Sequence, residues 1–61
     1  MYVITFCGYV CKHYPTFSSV LRAEDYIAEI FEDYEEENGL TPREAMSYYE
    51  RYRRLYDVLA L

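Results

Sequence analysis

Sixty-one residues, 7.4 kDa and a formal net charge of −5 fit one small domain and exclude a multidomain enzyme, since a typical domain has about 100–150 residues. Hydrophobic residues make up 52% of the chain, more than disorder through low hydrophobicity would leave, so the chain is expected to fold. A domain of this size buries only roughly 60% of the surface its unfolded chain exposes, so its core calls for support from a disulfide, a metal or a partner.

Nine Tyr with no Trp, and eleven Asp plus Glu against six Lys plus Arg, give the composition its character. Tyr supplies rigid amphipathic contact area and Arg supplies several donors, which is why both are enriched among binding hot spots. An interaction protein is favoured. The stretch Met1–Cys11 is uncharged, lacks a basic leader region and is followed by no small-residue cleavage site. It is also too short to span a bilayer, which takes about 20 apolar residues. The expected location is cytoplasmic, with no membrane partner.

Within Met1–Cys11, the residues Val3, Ile4, Thr5, Phe6, Tyr9 and Val10 are β-branched or aromatic and read as strand. Gly8 interrupts the run, and the sequence allows either a bulge in one strand or a tight hairpin returning through Tyr9–His13. Lys12–Ser19 contains Pro15 and two serines and reads as a loop, with Ser18 or Ser19 placed to cap a following helix.

From Val20 the apolar period changes to helical spacing through Ala23, Ile27, Ile30 and Tyr34, with Phe31 widening the stripe. This helix should stop at Glu37 or Asn38, because Gly39 can take the left-handed conformation and Leu40 can fold back toward Tyr34. Thr41-Pro42-Arg43-Glu44 then combines a capping box with proline in the first helical position. The stripe Ala45, Tyr48, Tyr49, Tyr52, Leu55, Tyr56 and Leu59 carries a second helix to about residue 59, with Arg43, Ser47, Glu50, Arg51, Arg54 and Asp57 opposite.

The expected fold is therefore α+β. An N-terminal strand or small hairpin, about 2–13, precedes an antiparallel helical hairpin over about 20–37 and 42–59. A lone strand would leave an open edge, and open edges pair with a second copy. Homodimerisation is the expected stabiliser.

Several constellations bear on chemistry. Cys7, Cys11 and His13 supply three zinc-type ligands where a structural site needs four, and a disulfide requires Gly8–Val10 to be a turn, because in an extended strand the two cysteines lie about 13 Å apart. They read as packed or half-packed thiols with a loop histidine. Asp33, Glu35, Glu37 and Glu44 match some positions of a calcium loop, but Asn38 stands where that loop needs glycine, and the capping box already accounts for Glu44. The single His has no acid or nucleophile at a telling spacing. No metal, no cofactor and no catalysis are expected.

The acidic run is the distinctive feature. Glu24, Asp25, Glu29, Glu32, Asp33, Glu35, Glu36 and Glu37 fall within fourteen residues, and no Lys or Arg lies between Arg22 and Arg43. On a helix that is one charge per ~2.6 Å of axis, of the same order as the one per ~1.7 Å of duplex DNA. A solvated helix face is the plainer explanation. It leaves a cost unexplained, because like charges at i, i+4 destabilise a helix by a few tenths of a kcal/mol each. Glu24 and Asp25 suit a helix N-terminus, whereas Glu35, Glu36 and Glu37 oppose the dipole at the other end.

Arg51, Arg53 and Arg54 lie among tyrosines, a mixture that can stack on single-stranded nucleic acid. The overall charge opposes direct nucleic-acid binding, and Glu50 and Asp57 are spaced to pair Arg54 and Arg53. In size, acidity and tyrosine content the chain resembles the small inhibitors that bacteriophages and mobile elements direct against host defence or nucleic-acid enzymes, including anti-CRISPR and anti-restriction proteins. That resemblance implies a DNA-mimicking inhibitor whose partner is a host protein with a basic nucleic-acid-binding surface. The expected contact residues are Glu24, Asp25, Glu29, Glu32, Asp33 and Glu36, with Tyr48, Tyr49 and Tyr52 as anchors. The alternative is a homodimeric structural or regulatory module whose tyrosines serve self-assembly.

Overall fold

Val3, Ile4 and Thr5 are consecutive and all buried, so side chains on both faces of this strand are shielded, as befits a central strand with a neighbour on each edge. The computed structural model, which describes residues 1–61, supplies both. Strand β1 (Tyr2–Phe6) is central in a three-stranded antiparallel sheet of order β2-β1-β3, between β2 (Tyr9–Val10) and β3 (Tyr56–Ala60). Helices α1 (Val20–Asn38) and α2 (Pro42–Tyr52) lie between β2 and β3 in sequence, and a 3-10 turn, Arg53–Leu55, leads from α2 into β3. The fold is α+β, as the sequence led us to expect, but its strand order and placement differ.

The first difference is the second helix, which ends at Tyr52 and not near residue 59. Leu55, Tyr56 and Leu59 fit a helical stripe, yet Tyr56, Val58 and Ala60 also alternate with Asp57 and Leu59, and a short apolar run does not distinguish the two periods. The vacant edge of β1 decides. It pairs with all five residues of β3, from Tyr2 with Ala60 to Phe6 with Tyr56. The expected arrangement of an N-terminal hairpin followed by a helical hairpin thus becomes β-β-α-α-β. The N-terminal strand has no open edge, and the reason given above for dimerisation through it falls away.

The interruption at Gly8 is a hairpin. Thr5 pairs with Val10 and Phe6 with Tyr9 across a two-residue turn in which Cys7 (φ 52°) and Gly8 (φ 84°) both have positive φ, the condition a type I′ turn imposes. Beyond β2 the same side of β1 is covered by Cys11, whose N–H bonds to the Ile4 carbonyl at 2.9 Å, and by Phe17, which exchanges two backbone bonds with Tyr2.

Ile4 shares a face with Val58 and packs with Ala23, Ile27 and Phe31 of α1 into the buried cluster, ringed by Tyr26, Tyr48, Tyr52 and Tyr56. Both helices therefore cover this face. The other carries Val3, Thr5 and Leu59, and Leu59 is 51% exposed.

The helix boundaries follow local chemistry. Ser19 Oγ accepts the Arg22 N–H at 3.2 Å to start α1. At its end Gly39 has φ 59°, and Leu40 N–H reaches the Glu35 carbonyl at 3.0 Å while Gly39 N–H bonds to that of Glu36, a Schellman closure. Both arms of the Thr41–Glu44 capping box form, at 3.0 and 3.2 Å.

A β-carbon on Gly39 would meet no atom within 4 Å, so only its backbone conformation resists substitution. Gly39→Val is expected to lower stability by more than about 1 kcal/mol, and Gly39→Asn by clearly less, since Asn tolerates the left-handed region. Urea denaturation of the two variants checks this. Equal losses would place the restriction elsewhere.

Candidate functional site

One turn per 3.6 residues places Asp25, Glu29, Glu32 and Glu36 in a row directly behind Ile27. All four are exposed, as are Glu24 and Asp33 on the flanks. The row runs along a helix of 19 residues, about 28 Å long, in a molecule whose longest dimension is 36 Å. Of the six carboxylates expected to meet a partner, Glu24 alone has a cation within 4.0 Å, the guanidinium of Arg53. Arg53 was expected to pair along its own helix with Asp57, but the strand that replaces that helix turns it toward α1.

The charge of α1 opposes its dipole at both ends. Glu24 and Asp25 lie beyond the first turn, which holds no acid and does hold Arg22, and the last turn contains Glu35, Glu36 and Glu37 with no base. Each such mismatch costs about 0.3–1 kcal/mol at low salt.

The tyrosines occupy the other side of the helix. Tyr48 stacks on Tyr34 with centroids 4.1 Å apart and planes within 7°, meets the edge of Phe31 at 5.5 Å and touches Tyr52 at 4.6 Å. Tyr48 and Tyr52 are half-buried, while Tyr49 is exposed although its ring contacts Phe31 at 5.2 Å. The expected site residues thus form two surfaces. The carboxylates face outward from α1, and the tyrosines pack against its inner side.

Where α2 leaves the end of α1, Tyr34 of α1 and Arg43, Ser47, Tyr48, Arg51 and Tyr52 of α2 line a cleft of about 460 Å³. The expected contact set contained only two of these residues, Tyr48 and Tyr52. The signal was present in the i, i+4, i+8 spacing of Arg43, Ser47 and Arg51, which shares one flank of a helix. Glu44 also borders the cleft, and its carboxyl is held below the usual carboxylate range by the Thr41 backbone N–H and hydroxyl.

Burial, chiefly, pushes the hydroxyls of Tyr14, Tyr48 and Tyr56 above their ordinary value, with Cys11 as the next influence on Tyr14 and Tyr34 on Tyr48. Tyr56, with Tyr14 beside it, reaches about 12. Cys7 and Cys11 are free thiols, and no three His, Cys, Asp or Glu side chains gather as a metal site would require. No helix is long and apolar enough to cross a membrane. No family model, no curated protein and no solved structure matches this chain.

The neutral form of Tyr56 is the one the fold favours. Its contribution to stability is complete below pH about 10 and disappears as pH rises toward about 12. Helical circular dichroism should therefore decline in that window, and Tyr56→Phe should remove the last ionisation seen at 295 nm and delay the decline. A Phe variant that keeps the last ionisation would assign it to another tyrosine.

Proposed function

We propose that this protein is a small acidic inhibitor acting in the cytoplasm, which occupies a basic nucleic-acid-binding surface of a protein partner and prevents DNA or RNA from reaching it. The observation that carries this reading is the outward row Asp25, Glu29, Glu32 and Glu36, exposed along α1 with no cation within 4.0 Å. The chain tolerates mismatched charge at both ends of that helix without neutralising it, which is the pattern of a surface kept for something other than stability. The row sets a charge about every 5.5 Å of helix axis, sparser than the ~3.4 Å of one DNA strand, and draws a basic groove by long-range attraction. Its role is occupancy and not catalysis. Glu24 and Asp33 widen the row, and Tyr49, the exposed tyrosine of the three, is the anchor on the other surface. The resemblance in size and composition to phage-encoded anti-defence inhibitors points the same way.

The test replaces the row with lysine at Asp25, Glu29, Glu32 and Glu36, none of which touches the buried cluster. Binding to a nucleic-acid-binding protein captured by the wild-type chain should be lost while helical circular dichroism is retained. Wild-type binding should weaken steeply as salt rises past about 0.1 M, where the Debye length is ~10 Å, and duplex DNA should compete. Unchanged binding by the fourfold variant would reject the reading.

A second reading, a homodimeric module, is favoured by the sheet face away from the helices, where Val10, Leu59 and Leu61 are exposed, Leu61 by 75%, around the buried Val3 and Thr5. The contact would be face to face, because the outer edge of β3 is capped by its own side chains. Arg53 Nη1 donates to the Tyr56 carbonyl at 3.0 Å, and the Val58 N–H donates to Asp57 Oδ1 at 3.1 Å. Sedimentation equilibrium separates the readings, since a 7.4 kDa species at micromolar concentration excludes the dimer.

A further inference from the structure

The cleft beside α2 is independent of the acidic row and differs from it in sign. Arg43, Ser47 and Arg51 follow one another at intervals of four residues, so each arginine lies ~6 Å along the axis from Ser47. Two extended guanidinium side chains can converge over the serine hydroxyl from that spacing. Neither has a carboxylate within 4.0 Å or a hydrogen bond to the chain, whereas Arg53 has both. Glu44 is the one acid bordering the cleft, and one of its oxygens already accepts the Thr41 N–H at 3.0 Å. The cleft therefore keeps a net positive charge inside a chain of net −5.

Three tyrosines, Tyr34, Tyr48 and Tyr52, share the lining. Tyr34 lies parallel to Tyr48 at 4.1 Å and is 39% exposed, so its side chain is only partly covered by the stack. Paired guanidiniums with a hydroxyl between them recognise a phosphate through charge-assisted bonds. A tyrosine face recognises a planar base regardless of its identity. The volume of about 460 Å³ falls in the ~300–1,000 Å³ range of small-molecule sites.

We infer that this cleft binds a phosphate group carried on a nucleoside, with Arg43, Ser47 and Arg51 holding the phosphate and the base stacking on Tyr34. The same chemistry is offered by a free mononucleotide and by the 5′-phosphorylated end of a strand. The net charge of −5 repels a strand of several phosphates more than a single one, and the free mononucleotide is favoured.

The experiment is a titration of the 15N-labelled full chain followed by amide and arginine side-chain shifts, with adenosine 5′-monophosphate, adenosine, inorganic phosphate and a 5′-phosphorylated oligothymidylate as probes. Adenosine 5′-monophosphate should move the signals of Tyr34, Ser47 and Arg51 and bind at least about tenfold more tightly than adenosine or phosphate alone. Tighter binding of the oligonucleotide would keep the site and assign it to strand ends. Combined Arg43→Gln and Arg51→Gln should weaken binding about tenfold or more, and Arg54→Gln, outside the cleft, should not. Both sets of changes are on exposed side chains, and the spectrum of each free variant reports its fold. No saturable shift with any probe, adenosine binding as tightly as its monophosphate, or unchanged binding by the double variant would overturn the inference. None of these outcomes depends on the acidic row, so the two readings fail separately.

Discussion

The ring of Phe31 joins three elements that make few other contacts with one another. Its neighbours are Tyr48 and Tyr49 of α2, at 5.5 and 5.2 Å, and Tyr56 of β3, at 5.6 Å, all in edge-on geometry. Only six residues are buried, and Phe31 is the largest apolar one among them. Edge-on pairs contribute about 0.5–1.5 kcal/mol each beyond burial, and truncating a buried Phe costs about 3–5 kcal/mol. At ~0.05–0.15 kcal/mol per residue a chain this short has a total stability of about 3–9 kcal/mol. One side chain therefore contributes on the scale of the whole. Tyr48 and Tyr52 are committed to this layer, and Tyr49 alone of the three keeps a broad face for anything outside it.

That division explains how α1 tolerates its charges. Ala23, Ile27 and Phe31 are buried on the inner side, and packing of that stripe, more than intrinsic propensity, holds a helix in a small domain. The outer carboxylates touch none of those residues. Their repulsion and the unfavourable dipole act as a modest tax on stability, and they can be changed in sign or number without altering the core.

Much of the fold was legible because it is local. The change of period at Val20, the left-handed stop at Gly39 and the capping box at Thr41 are written within a few residues, and the backbone obeys each. The return of Tyr56–Ala60 to the sheet was not legible. It depends on β1, more than fifty residues earlier, needing a partner on its second edge, and no window of sequence contains that demand. A hint existed in Arg51, Arg53 and Arg54, since cations gather at helix C-termini, and the helix does end among them. For the site, the exposure of the carboxylates followed from helical spacing. The cleft did not, because it needs Tyr34 from the end of α1 beside Arg43 and Arg51 of α2, and their separation depends on how the aromatic layer between the helices packs.

The same layer lets opposite charges coexist on so small a molecule. Packed helices lie about 8–10 Å apart, and the acidic row points away from α2, so its carboxylates stand farther than that from the guanidiniums in the cleft. At physiological salt the Debye length is about 8 Å, and the intervening solvent screens most of the attraction between them. A chain of net charge −5 thus repels polyanions as a whole and still keeps a cationic recess on one flank of α2. Net charge governs what approaches from a distance. What the cleft accepts at contact is decided by Arg43, Ser47 and Arg51, and those three lie on a flank of α2 that no carboxylate of the outer row reaches.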